Sequence, residues 1–120
     1  MSTVNKQQSL FHQGVRNYIT GNNKKAILDF EACIKHNRLA TANVVNFSLN
    51  HQVKKLCYVS STAAVGVNTK GQTTELNKWE PGSEVSGYSV SKFLAEKEVW
   101  RGIEEGLNAV IINPCVIFGP

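Results

Sequence analysis

The segment LCYVSST, residues 56–62, decides the fold of this 120-residue chain. It begins with four apolar residues and ends with three hydroxyl side chains in a row. A short, nearly continuous apolar run is typical of a strand that a parallel sheet buries on both faces. We therefore predict a strand over residues 56–60, with Ser60, Ser61 and Thr62 at its carboxyl end.

The segments on either side of this strand complete an alternating pattern. Upstream, TANVVNFSLNHQ (41–52) has the apolar spacing of a helix. Downstream, SGYSVSKFLAEKEVW (86–100) predicts an amphipathic helix that continues to about residue 105 and stops at Gly106. NAVIINP (108–114) predicts a second buried strand. The order helix, strand, helix, strand is typical of an α/β fold with a parallel sheet.

The turn-rich stretch between the first strand and the second of these helices is unusually long. It extends from about residue 66 to residue 87 and contains Trp79 and Pro81. Because irregular loops longer than about 15 residues are uncommon inside compact domains, we interpret it as a functional loop or lid.

The first 40 residues have a different character. Residues 7–38 show helical spacing on both sides of Gly21-Asn22-Asn23, which predicts a helical hairpin. We therefore predict two domains, a hairpin over residues 1–40 and an α/β domain over residues 41–120. The hairpin resembles a single tetratricopeptide repeat, with Gly14, Gly21, Ala26, Phe30 and Ile34 at that repeat's packing positions. An unrelated helical hairpin is the alternative, because such hairpins share much of this pattern.

Composition excludes several classes of function. The net charge of +4 comes from scattered lysines, whereas a nucleic-acid partner calls for a basic cluster with aromatic residues. No apolar run reaches the roughly 20 residues that span a membrane, and the first residues lack the apolar core of a signal peptide. We expect a cytoplasmic location.

Cys33, Cys57 and Cys115 are far apart, so we predict buried thiols and neither disulfides nor a metal site.

Tyr88 and Lys92 lie one turn apart at the start of the predicted helix. The pair alone is weak evidence for a catalytic site, and the hydroxyl residues at the end of the preceding strand strengthen it. Ser61 and Thr62 end the preceding strand, and the carboxyl edge of a parallel sheet is where such folds bind ligands. A lysine ammonium favours the phenolate form of a neighbouring tyrosine. Tyr88 could then exchange a proton with a substrate hydroxyl or carbonyl, while a hydroxyl from Ser61 or Thr62 holds the same oxygen.

Four segments together carry a family resemblance, and they occur in the family's order. They are TANVVN, YVSSTAAVG, YSVSKFLAEKEV and VIINPCVIFGP. Residues 41–120 resemble the extended short-chain dehydrogenase/reductase superfamily, in its NAD-dependent epimerase/dehydratase and dihydroflavonol-reductase-like branch. The resemblance implies part of a Rossmann-type parallel sheet and a reaction that uses NAD or NADP. It also implies a small-molecule substrate, either a sugar nucleotide or a flavonoid-like or steroid-like compound.

The resemblance also implies roles for individual residues. Ser61, Tyr88 and Lys92 correspond to the family's catalytic triad, with Thr62 as the rival of Ser61. Tyr88 and Lys92 would also contact the cofactor, Lys92 through the ribose. The residues that would line the nicotinamide are Pro114, Cys115 and Val116.

The sequence departs from the family at both ends. The family begins with a strand and a glycine-rich turn that binds the cofactor pyrophosphate. No G-x-G occurs in this sequence, which ends at FGP, where the family continues into substrate-binding elements. We therefore expect the catalytic middle of the fold, with weak binding of NAD by this chain alone. The alternative is an inactive fragment or fusion that acts through its repeat-like hairpin, by self-association or with a protein partner. In that case the hairpin could cover the face that the missing strands leave bare.

Overall fold

The computed structural model describes residues 3–66, 71–80 and 86–117 of the chain. Its elements in chain order are α1 (Thr3–Ile19), α2 (Asn23–Asn50), β1 (Leu56–Val59), a short 3-10 helix (Thr62–Ala64), α3 (Gly87–Glu104) and β2 (Ala109–Ile112). The predicted α/β class with helices at the N-terminus is confirmed. None of the helices in these ranges combines the length and the apolar character that a membrane crossing requires.

The two strands pair in parallel, in the register Leu56 to Ala109 through Val59 to Ile112. Their carboxyl ends therefore lie at the same edge of the sheet. The backbone ladder continues one residue further, because the Ser60 amide donates to the carbonyl of Ile112 at 2.8 Å. This pairing brings the hydroxyl residues after β1 next to the residues that follow β2.

Helices α2 and α3 pack on one face of this sheet. Val45 of α2 and Val99 of α3 are fully buried, and with Leu107 they form the centre of the core. The residues that pack against this centre include alternate positions of both strands, namely Leu56, Tyr58, Ala109 and Ile111. The alternation follows from strand geometry, in which successive side chains point to opposite faces.

The opposite face of the sheet is exposed. Val59 is 59% exposed, Ile112 49% and Val110 41%, and Cys57 also lies on this face. The prediction of strands buried on both faces is therefore wrong for the described residues, because both packing helices lie on the same side. The prediction of buried thiols fails for the same reason at Cys57, and Cys115 is exposed as well.

Helix α2 is longer than the sequence analysis predicted. It extends without interruption over 28 residues, from a cap at Asn22 to Asn50, and includes the predicted boundary at residues 40–41. The two helices predicted on either side of Arg38 are one helix, and the segment contains neither glycine nor proline to break it. The division into a hairpin domain and an α/β domain stays a prediction.

Phe30 connects the N-terminal hairpin to the start of α3. A Cβ atom at Gly14 of α1 would lie 2.7 Å from Cε1 of Phe30, so only glycine permits this approach. On the other side, Phe30 lies near the start of α3, since a Cβ atom added at Gly87 would lie 3.8 Å from Cβ of Phe30. The second helix of the hairpin contacts α3 through Asn37 with Ser91 and Arg38 with Glu98. The described residues of the hairpin therefore leave the outer sheet face exposed. Its resemblance to a tetratricopeptide repeat stays a prediction.

Candidate active site

Three hydroxyl side chains follow β1, and each has different surroundings. Ser60 is 6% exposed, and its Oγ is a buried oxygen without a hydrogen-bond partner among the described residues. Ser61 caps the 3-10 helix, since its Oγ accepts a hydrogen bond from the Ala63 amide at 3.2 Å. The side chain of Thr62 is exposed. Both candidates for the triad hydroxyl therefore lie at the carboxyl end of β1, and the choice between them stays open.

The start of α3 carries the predicted tyrosine and lysine. Ser86 caps the helix, with its Oγ accepting from the Ser89 amide at 3.1 Å. Lys92 extends toward the sheet, where its Nζ donates to the carbonyl oxygen of Val59 at 3.4 Å and lies 5.6 Å from the ring centroid of Tyr58. Tyr88, one turn earlier, is 44% exposed. The ammonium of Lys92 is thus placed against the carboxyl end of β1.

The structure brings the predicted residues to one region without joining them all. Among the described residues, no hydrogen bond links the Tyr88 hydroxyl to Ser61, Thr62 or Lys92. Catalytic hydrogen bonds are often long in the absence of substrate and shorten when it binds. The assignment of Ser61, Tyr88 and Lys92 as a triad therefore stays a prediction.

A second tyrosine, Tyr58, lies close to Lys92, and the sequence analysis did not consider it. Burial raises the pKa of the Tyr58 phenol, a hydrogen bond with Thr41 (3.3 Å between the oxygens) opposes this, and electrostatic interactions with the side chains of Glu96 and Tyr88 raise it further. The Tyr58 phenol therefore keeps its proton at neutral pH. It is suited to hold the lysine through its ring and unsuited to act as a base.

The raised pKa of Tyr58 predicts a loss of stability in alkali. The unfolded chain releases this proton near pH 10, whereas the folded chain holds it to a higher pH. The stabilisation is therefore complete below about pH 10 and disappears as the pH rises through the folded pKa. We expect the free energy of unfolding, measured with urea, to fall more steeply above about pH 10 in the wild type than in Tyr58→Phe. Tyr18→Phe, at a 68% exposed position, should match the wild type. Equal slopes for Tyr58→Phe and the wild type would contradict this assignment.

Asn113 ties the residues after the two strands to α3. Its Nδ2 donates to the carbonyl oxygen of Ser61 at 3.0 Å and also to Oε1 of Glu96. The Thr62 amide donates to the carbonyl of Pro114 at 3.1 Å, so the two strand ends are held together at a second point. Glu96 is 8% exposed and lies one turn beyond Lys92. Glu96 is not among the residues predicted from the sequence, although a carboxylate four residues after Lys92 falls on the same helical face.

Within the predicted lid, the structure describes Gly66, residues 71–80 and residues 86–87, and Pro81 lies outside the described residues. Trp79 stacks on Phe93 of α3 with ring centroids 4.1 Å apart and an interplanar angle of 7°. Its Nε1 donates to Ser89 Oγ at 3.3 Å, and Ser89 in turn donates to the carbonyl of Ala63. This segment is therefore anchored to α3 and, through Ser89, to the residues that follow β1.

The residues predicted to line a nicotinamide follow β2 directly. Pro114 is partly buried, while Cys115 and Val116 are exposed; the final residues, 118–120, lie outside the described ranges. A cavity of about 470 Å³ lies nearby, lined by Trp79, Phe93, Glu96, Asn113 and other residues. Its lining includes neither Tyr88, Lys92 nor Ser61, so it is separate from the predicted triad.

The family model described as the NAD dependent epimerase/dehydratase family matches residues 16–120 of this chain. The chain belongs to this family. The resemblance inferred from the sequence is confirmed, and the match begins within α1, ahead of the predicted domain boundary at residue 41. Among the described residues there is no group of three or more histidine, cysteine, aspartate or glutamate side chains that could hold a metal ion.

Several curated proteins are similar to this member of the epimerase/dehydratase family. A putative dihydroflavonol 4-reductase from Synechocystis sp. is 33% identical over 93 residues, which are 77% of this chain and 27% of that protein. An anthocyanidin reductase from Arabidopsis thaliana is 35% identical over 78 residues, 56% of this chain and 23% of that protein. A cinnamoyl-CoA reductase from Medicago truncatula is 32% identical over 90 residues. The chain thus spans about a quarter of the length of these relatives. No solved structure matches it significantly.

The residues present fit one half of the family's cofactor. An ammonium has three donors, and Lys92 uses one of them on Val59, so donors remain for ribose hydroxyls beside the strand ends. The buried hydroxyl of Ser60, without a partner among the described residues, is a further polar group at the same edge. A pyrophosphate would need a glycine-rich turn before a helix, and the sequence contains no G-x-G. The donor set therefore suits the nicotinamide riboside half.

Proposed function

We propose that this chain carries the catalytic segment of an NAD(P)-dependent oxidoreductase, epimerase or dehydratase that acts on a carbinol or ketone carbon. The observation that carries the proposal is the contact of Lys92 Nζ with the carbonyl of Val59. Because Tyr88 precedes Lys92 by one turn, this contact supports a site in which the tyrosine, the lysine and the hydroxyl residues after β1 act together.

The proposed chemistry divides the work among three side chains. The nicotinamide, when bound, supplies or accepts the hydride at the substrate carbon. In the reducing direction the hydroxyl of Tyr88 gives its proton to the carbonyl oxygen, and the phenolate is reprotonated from solvent; oxidation reverses these steps. The ammonium of Lys92 stabilises the phenolate. Ser61 or Thr62 donates a hydrogen bond to the substrate oxygen as its charge develops.

The proposed substrate is a flavonoid-like or related aromatic carbonyl compound. Three of the relatives carry names that refer to dihydroflavonol, anthocyanidin and cinnamoyl-CoA reductases. A further relative, from Methylococcus capsulatus, is named sterol demethylase protein B, which keeps a steroid-like compound as the alternative. A sugar nucleotide is the third class in the test below, and either NADH or NADPH would serve as the reductant.

The test is cofactor oxidation by the purified protein at millimolar NADH or NADPH, with a dihydroflavonol, a ketosteroid and a UDP-sugar as substrates. We expect turnover of the dihydroflavonol and a loss of about 100-fold or more in Lys92→Met. Ser61→Ala and Thr62→Ala form a matched pair, and the larger loss identifies the hydroxyl that contacts the substrate. Absence of turnover with every substrate, or full activity in all three variants, would overturn the proposal.

A second candidate function is self-association through the bare sheet face. Val59, Val110 and Ile112 form an exposed apolar surface on paired strands, and parallel sheets are normally covered on both faces. We expect sedimentation equilibrium to show a mass that rises with protein concentration, and the double variant Val59→Thr/Ile112→Thr to reduce that rise. Threonine keeps the β-branched shape that favours strands. A monomer at all concentrations would contradict this candidate.

A further inference from the structure

Both N–H groups of the Asn113 side-chain amide donate hydrogen bonds, and their two acceptors lie in different parts of the fold. An amide NH₂ has two donors, and here one serves the Ser61 carbonyl at 3.0 Å and the other serves Glu96 Oε1. Ser61 lies at the end of β1, Asn113 follows β2, and Glu96 belongs to α3. One side chain therefore connects the backbone of the predicted triad serine to the helix that carries Tyr88 and Lys92.

Glu96 places a carboxylate at a buried position, where an apolar side chain would fill the same space at a lower cost in free energy. It is 8% exposed, and burial of a carboxylate is costly unless the group is paired or hydrogen-bonded. Within the described residues it takes part in no ion pair; the bridges of α3 join Glu98 and Glu105 to arginines. Its partner there is the Asn113 amide, and hydrogen bonds to a charged acceptor are stronger than neutral ones. The pair fixes Asn113 in one orientation, with its other N–H directed at Ser61.

The hydrogen bonds of Asn113 set the distance between α3 and the residues that follow β1. The carbonyl of Ser61 is held through Asn113, and the next amide, of Thr62, is held by the carbonyl of Pro114 at 3.1 Å. The Ser61 hydroxyl then caps the short helix through Ala63. These contacts hold the main chain at Ser61 on both sides of its peptide group.

We propose that Glu96 and Asn113 are positioning residues, a carboxylate–amide pair that sets the place of Ser61 relative to Tyr88 and Lys92. The inference rests on the proposed function for its catalytic consequence. It assigns neither residue a contact with substrate. A displacement of about 1 Å can cost on the order of 100-fold in rate, so loss of the pair should lower kcat by roughly 10- to 100-fold while the KM for the cofactor stays near the wild-type value.

A pair of exchanges separates positioning from simple packing. Asn113→Asp removes both donors and places two carboxylates together, so both stability and kcat should fall. Adding Glu96→Gln to this variant restores a hydrogen bond between the two side chains, because glutamine donates where aspartate accepts. It leaves the Ser61 carbonyl without a donor from residue 113. We expect the double variant Glu96→Gln/Asn113→Asp to regain stability toward urea, with kcat still lowered at least tenfold.

Amide hydrogen exchange gives a readout that does not depend on turnover. Exchange at the Thr62 and Ala63 amides should be faster in the double variant, while the Leu56 amide, bonded to Asn108 at the other end of β1, should be unchanged. Asn113→Ala, which removes the amide without adding a charge, replaces Asn113→Asp if the latter does not fold. It should show the same pattern.

The outcomes are distinct for the two proposals. Recovery of kcat together with stability in the double variant would overturn the positioning role and leave the proposed function intact. Unchanged exchange at Thr62 and Ala63 would also overturn it. If the wild type turns over no substrate, the proposed function fails, and the exchange result still decides whether Asn113 positions Ser61.

Discussion

Tyr88→Phe should lower the cofactor-dependent turnover of the protein by at least about 100-fold, with little change in the free energy of unfolding. The phenol is the proposed proton donor, and its side chain is 44% exposed, so loss of the hydroxyl removes little packing. The measurement is kcat/KM from the fall in NADPH absorbance with the substrate that the wild type turns over. A parallel urea denaturation confirms that the variant is folded.

Two other tyrosines provide the controls for this experiment. Tyr18→Phe removes the same hydroxyl from a 68% exposed position on α1 and should leave the rate unchanged. Tyr58→Phe removes the hydroxyl next to Thr41 and should have a modest effect, because burial keeps the pKa of that phenol above its usual value. A large loss in Tyr58→Phe with near wild-type activity in Tyr88→Phe would transfer the proton-donor role to Tyr58.

Gly102→Ala should destabilise the protein by about 1–3 kcal/mol. A Cβ atom at this position would lie 2.5 Å from Cγ1 of Val45 and 3.2 Å from Cδ2 of Leu107, and both of these residues are buried. Alanine is the better helix former by about 1 kcal/mol, so a gain would be expected in the absence of this clash. Because protein interiors are close-packed, a shift of the fully buried Val45 would displace its neighbours. The measurement is the free energy of unfolding in urea.

Gly87→Ala is the matched control, because a Cβ there meets Phe30 at an ordinary 3.8 Å. It should cost much less than Gly102→Ala. In the double variant Gly102→Ala/Val45→Ala the added methyl enters the space that valine leaves, so the two effects should sum to less than their separate values. If Gly102→Ala is as stable as the wild type, α2 and α3 can separate without loss, and the close approach at Gly102 is not required.

Local sequence patterns predicted the helices and strands more fully than they predicted the contacts between these elements. The strands at LCYV and AVII, the helix from residue 87 and the stop at Gly106, which has φ +99°, follow directly from hydrophobic spacing and glycine chemistry. The bare sheet face could not be predicted, because an apolar strand looks the same whether one face or both are covered. The continuity of α2 was missed because a change in sequence character near Arg38 was interpreted as a break.

At the candidate site, sequence indicated the residues that occur in a motif and missed those that act through tertiary contacts. Tyr88 and Lys92 are recognisable from their spacing. Tyr58 lies inside a strand, where its hydroxyl and its proximity to Lys92 depend on how α3 packs. Asn113 falls within the predicted second strand, and its two hydrogen bonds depend on groups 17 and 52 residues away in sequence. Local periodicity contains no information about such distant partners.

Because α2 is unbroken, the orientation of the hairpin relative to the sheet depends on the number of residues in this helix. Each residue of an α-helix adds a rotation of about 100° and a rise of about 1.5 Å. Phe30, which lies against Gly14 of α1 and near the start of α3, and Val45, at the centre of the core, are both on this helix. A single-residue insertion between them would turn α1 to another side of the molecule. Any recombination event that exchanges the hairpin within α2 must therefore conserve the number of residues between these two positions, or change it by a whole number of turns.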